Sequence, residues 1–253
     1  MGHRNRGEAR ERGFAWRRNE RGLGGVSKNA KSVNFCAHFL RSVLLYTSSA
    51  LQSRTTSLKF LQSFCVVDSM LRILWVGGDW DDFAKRNGGV AILAGDVLSN
   101  RLTQYITDIE TADAVVQMVS SVIETQGVLR MDYRCDAPHE LRRFRLTIKP
   151  MKNRRAILVH ELRDALKLDP PMTEWAFDPA ARAKKCSVCG LVHLPGKVWS
   201  DPAHPGGRHP EFVSYTTCPA CTVRIEAAII GLSTGANAAE VGELSLSAGA
   251  GRD

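Results

Sequence analysis

Apolar and polar positions fall into recognisable periods from Leu71 onward. Leu71–Val76 is a short apolar run closed by Gly77-Gly78 and reads as a strand. Asp79–Arg86 reads as one or two helical turns, with acids in the first turn and bases in the last, as the helix dipole favours; Asn87-Gly88-Gly89 is its stop. The clustered aspartates Asp79, Asp81 and Asp82 would also suit a metal, but capping accounts for them without one. Between Thr111 and Thr125, the residues Ala112, Val115, Val116, Val119, Val122 and Ile123 recur at helical spacing, and Gln126-Gly127 ends that amphipathic helix.

Three strand-like runs follow. In Val128–Cys135, the residues Leu129, Met131, Tyr133 and Cys135 share one face, opposite Arg130, Asp132 and Arg134. In Arg142–Ile148, the residues Phe144, Leu146 and Ile148 alternate with Arg143, Arg145 and Thr147. Ala156–Leu162 is the third run. A short β element, small helices, one long helix and an antiparallel meander make an α+β layout.

Charge divides the chain. Residues 1–69 hold 12 bases and four acids, which leaves 22 of each downstream, so the formal +8 lies in the first 69 residues. No acid occurs between Arg21 and Val67. Such a segment has the composition of an organelle transit peptide, but the preferred reading is a disordered or mis-started extension ahead of Met70. The balanced remainder lacks the basic footprint that nucleic-acid binding usually needs. No stretch approaches the ~20 apolar residues of a membrane span, and the expected location is the cytoplasm.

Four of the seven cysteines stand in two pairs, Cys186-Ser187-Val188-Cys189 and Cys218-Pro219-Ala220-Cys221. Two intervening residues let one tight turn aim both thiolates at a single ion, and two such pairs fill a tetrahedral zinc shell. Gly190 permits the left-handed backbone often needed after the second ligand. With four sulfurs the shell is closed, which makes the zinc structural rather than catalytic. His193, His204 and His209 lie in the intervening loop as possible substitutes for a ligand. Redox-active thiols are the competing chemistry.

Taken together, Trp80-Asp81-Asp82-Phe83-Ala84, Asn87-Gly88-Gly89, the Val97-Leu98 to Tyr105-Ile106 segment and Tyr133-Arg134-Cys135-Asp136-Ala137-Pro138 resemble a PAS domain over about residues 70–168. More narrowly, they resemble bacterial PAS-containing proteins. The Cys-Ser-x-Cys pair, Trp199 and Thr216-Thr217 ahead of Cys-Pro-x-Cys resemble the same proteins. Where those relatives usually have glycine, this chain has Asn100, which also tolerates a left-handed turn. The resemblance implies a sheet curled around one long helix, with an apolar pocket lined by Met131, Tyr133, Cys135, Phe144, Leu146 and Ile148 and a ligand left unknown. Neither His139 nor His160 matches the helical haem ligand of haem-binding relatives.

The expected organisation is an extension (1–69), a PAS-like domain (70–168), a linker (169–185), a zinc-ribbon-like module (186–232) and a flexible tail (233–253). The expected function is a non-enzymatic sensory or protein-interaction protein, working through a protein partner or self-association. The alternatives are a zinc-ribbon nucleic-acid-associated regulator and a thiol redox sensor. No catalytic constellation of Ser/His/Asp, Cys/His or paired carboxylates stands out.

Overall fold

The computed structural model describes residues 62–172, 175–204 and 210–234. The first strand, β1 (Gln62–Asp68), was not expected. It pairs antiparallel with β2 (Ile73–Gly78) on one side and with β5 (Arg155–Lys167) on the other. Cys65, Val66 and Val67 are all buried. Phe64–Val67 is a continuous apolar run rather than an alternating one, and a run that short shows no period by which to recognise a strand. The fold therefore begins by Gln62, ahead of the expected boundary at Met70. The rest of the expected extension lies outside the described residues, as does all but the start of the tail at 233–253.

With β3 (Leu129–Arg134) and β4 (Glu140–Met151), these strands form an antiparallel sheet in the order β2-β1-β5-β4-β3. The expected meander is present, with β4 and β5 longer at both ends than the alternation suggested. Between β2 and β3 come α1 (Trp80–Arg86), α2 (Ala94–Val97), a 3-10 turn at Leu102–Tyr105 and α3 (Ile109–Thr125).

Asp81 and Asp82 stand in the first turn of α1 and Lys85 and Arg86 in the last, as expected, but the capping role does not hold. Asp79 precedes the helix without capping it, and accepts a hydrogen bond from the Gln62 amide at 3.0 Å. Asp81 accepts from the Ala94 amide at 2.7 Å. They tie α1 to β1 and α2. Asn100 also departs from expectation: the left-handed residue is Ser99, with φ 68°, while the Asn100 side chain donates to the Asp96 carbonyl and to the Tyr105 hydroxyl.

The long helix α3 is capped by Asp108, which accepts from the Thr111 amide at 2.7 Å, and ends at Gln126 in a left-handed conformation, φ 56°. Its Met118, Val119, Val122 and Ile123 join Ile73, Leu129, Ile148 and Leu158 of the sheet in one core. Burial of this stripe is the main force holding helix to sheet.

A second sheet contains β6 (Ala176–Phe177), β7 (Lys184–Cys186), β8 (Val192–His193), β9 (Trp199–Ser200) and β10 (Phe212–Thr216), in the order β6-β10-β7-β8-β9. The helix α4 (Pro219–Thr234) follows. The expected linker at 169–185 is thus structured over much of its length. Leu168 and Met172 donate to the His139 and Pro138 carbonyls at 2.8 Å, and Trp175 packs in a small core with Val213 and Tyr215. The Lys185 ammonium lies 4.2 Å from the centre of the Trp175 ring. Nor is the cysteine segment a detached module: Cys186, Val188, Cys189, Cys218, Cys221, Ile225 and Ala228 belong to the same core as α3 and the first sheet. No helix among the described residues is long and apolar enough to cross a membrane.

Candidate metal centre

Strand register brings the two cysteine pairs together. β7 and β10 run parallel, with Thr216 opposite Cys186, so the chain leaves both strands at the same level. From β7 it enters a tight turn in which Gly190 donates to the Cys186 carbonyl at 3.0 Å and Cys186 donates to that of Leu191 at 2.8 Å. Gly190 has φ 75°, as expected, and a Cβ there would lie 3.0 Å from Asp136 Oδ2 and 3.2 Å from Arg134 Nε. From β10 the chain enters α4. Pro219 opens that helix, where its missing N–H costs nothing, and Thr222 donates to the Cys218 carbonyl. The second pair therefore sits on the first turn of a helix, not on a second knuckle. The positive end of that helix favours thiolates.

All four cysteines are buried, and their Sγ atoms lie within 4.8 Å of one another. Cys189 and Cys218 Sγ are 3.7 Å apart. A tetrahedral site with Zn–S bonds of about 2.3 Å has sulfur–sulfur edges of about 3.8 Å, so the residues fit such an ion. The Cys218 amide points at Cys186 Sγ, 3.3 Å away, and Arg224 Nη1 lies 3.9 Å from Cys221 Sγ. Both supply positive character to a sulfur-rich, negatively charged centre.

Among the thiols themselves, charge is shared unequally. Hydrogen bonds from the Cys189 and Cys221 side chains, supported by backbone amides, hold Cys186 down at about 2. Donation to Cys186 pushes Cys189 up to about 12 and Cys221 upward as well, and burial adds to both. A divalent cation is the partner that would let all four ionise together.

The centre is anchored to the first sheet and to α3. Arg134, at the end of β3, is buried and forms ion pairs with Asp136 at 2.7 Å and Asp201 at 2.6 Å. Burial alone would oppose its charge, but the two carboxylates raise its pKa above the ordinary value. Its amide donates to the Val188 carbonyl, between the first two cysteines, at 2.8 Å. Asp108, the α3 cap, also accepts from the Ser187 hydroxyl at 2.9 Å. Glu110 accepts from the Thr216 hydroxyl and from the Thr217 amide; the Thr216 bond is the main reason its pKa lies below the usual carboxylate value. Alternation had placed Arg134 on a polar face, and no local signal marked Asp108 or Glu110 as partners of residues so distant in sequence.

His193 and His204 do not join the cysteine cluster; His193 packs beside Trp199 at a ring separation of 5.3 Å. His209 lies outside the described residues.

Next to the cysteines, between α3 and the first sheet, is a cavity of about 120 Å³. Of the residues named from the sequence, Met131, Tyr133 and Leu146 line it, and so does His160. Cys135, Phe144 and Ile148 do not line it. Cys135 is buried beyond the end of β3, Phe144 packs between Tyr133 and Phe83 of α1, and Ile148 is in the helix–sheet core. A strand twists, so residues sharing its face at one end need not meet the same neighbours at the other. Tyr133 Oη and His160 Nδ1 are 2.9 Å apart, and burial lowers the His160 pKa to about 4.

No protein-family model matches this chain, and no curated protein matches its sequence. Among solved structures, a domain of an HTR-like protein from Haloarcula marismortui is similar over 41% of this chain and 98% of that one, at 17% identity and a TM-score of 0.31.

Proposed function

We propose that the chain is a non-enzymatic sensory or protein-interaction protein, in which a PAS-like core is stapled by a structural zinc ion and passes its state to a protein partner. The observation that carries this reading is the cluster of four buried thiols within 4.8 Å, built into the same core as the sheet and α3. Cys186, Cys189, Cys218 and Cys221 would hold the ion. Four sulfur ligands suit zinc and leave no position for a reacting water. Bound there, zinc supplies folding free energy and a fixed joint between two strands and a helix. A sheet crossed by one long helix, with an apolar cavity between them, supports the PAS-like reading of residues 62–168.

Elemental analysis of the full-length protein, purified anaerobically, tests the zinc. It should find about one zinc per chain, lost in Cys186→Ser and in Cys221→Ser. Metal-free wild-type protein with all four thiols intact would overturn the reading. Metal-free protein with a reversible disulfide within the quartet would replace it with a thiol redox sensor.

A further inference from the structure

The cavity and the cysteine cluster share a wall. Ser187 and Val188 lie between Cys186 and Cys189, Thr217 precedes Cys218, and Ile225 is one turn beyond Cys221; all four line the cavity. The opposite wall belongs to α3 and the first sheet. No Asp, Glu, Lys or Arg is among the lining residues, so an ionic ligand would be desolvated without a counter-charge. Tyr133 and His160, its ring-bearing polar residues, are hydrogen-bonded to each other. The volume of about 120 Å³ approaches the roughly 150 Å³ at which an apolar protein cavity takes up benzene.

We propose that this cavity binds a small, uncharged, largely apolar molecule of about benzene size, and that its occupancy and metal binding by the four cysteines strengthen each other. The coupling rests on the zinc reading above. Its direction follows from packing. Apolar side chains lining this partly open cavity meet solvent rather than protein on one side, and covering them with an apolar ligand is favourable. A ligand in this cavity touches Val188 and Ile225 on one wall and the sheet on the other, which favours the docked arrangement of the cysteine segment. Metal binding favours the same arrangement, because it needs residues 186–189 and 218–221 side by side. Two ligands that favour one arrangement of a shared element raise each other's affinity by the same factor.

The test uses full-length, zinc-loaded protein and benzene as the probe. A chromophoric chelator competes for the zinc with and without saturating benzene, and benzene binding is titrated by NMR on zinc-loaded and stripped protein. Benzene should raise zinc affinity about fivefold or more, and zinc should raise benzene affinity by the same factor. The chelator measurement reads the coupling whether or not stripped protein stays folded.

Ala114→Leu fills the cavity from α3 without altering a cysteine. It should keep the zinc and abolish the effect of benzene. Benzene binding that leaves zinc affinity unchanged would overturn the coupling while the zinc reading stands. Failure of zinc-loaded protein to bind benzene would overturn the ligand site. Persistence of the benzene effect in Ala114→Leu would also overturn the proposal, since the effect would then arise elsewhere. A protein that binds no zinc at all would remove the metal reading together with the coupling.

Discussion

Arg134 joins β3 to the loop that carries Asp201, and its burial sets the energetics. Its side chain is 5% exposed, as against 1% for Asp136 and 34% for Asp201. Truncating it strands a buried carboxylate and releases the loop. Arg134→Ala should therefore cost about 3–5 kcal/mol of unfolding free energy, the usual penalty for breaking a buried ion pair, read by urea denaturation.

His160 makes the opposite kind of demand, because it is held neutral. Its pKa of about 4, below the ordinary 6.5, means that the unfolded chain binds a proton that the folded one refuses. Stability is then fully present above pH 6.5 and falls as pH drops from 6.5 towards 4. The loss is at most about 3 kcal/mol, at 1.36 kcal/mol per pKa unit. His160→Gln should flatten that part of the stability–pH curve; an unchanged slope would mean another group is responsible.

At the scale of elements, the cysteine quartet depends on parallel register between β7 and β10, then on a turn after one and a helix after the other. The cysteine spacing was readable from the chain because metal chemistry constrains it locally. The helical start of the second pair was less so, although Pro219 is a helix-opening residue. The stripe on α3 and the meander were legible for the same reason, a period kept over many residues. β1 was not, since its apolar run Phe64–Val67 is too short to show a period. The structured stretch before Cys186 was hidden too, because β6 spans only Ala176–Phe177 and is defined by a partner far along the chain. Asp108 belongs to this scale as well, capping α3 while accepting from Ser187. Asp108→Ala should cost about 1 kcal/mol for the cap and speed zinc loss to a chelator, whereas a purely local cap would leave the zinc rate unchanged.

For the whole molecule, the presence of β1 from Gln62 onward sharpens the charge argument. Residues 62–253 hold 22 bases and 23 acids, so the whole formal excess of positive charge lies in residues 1–61. The cysteine segment and the sheet share one core, so removal of the proposed metal should lower the melting temperature of the sheet as well, not melt a separate module. That arrangement makes the coordination of the quartet the central claim. X-ray absorption at the zinc edge of the full-length protein tests it most directly. The account predicts four sulfur neighbours at about 2.3 Å; a shell containing nitrogen or oxygen ligands, or protein without bound zinc, would contradict it.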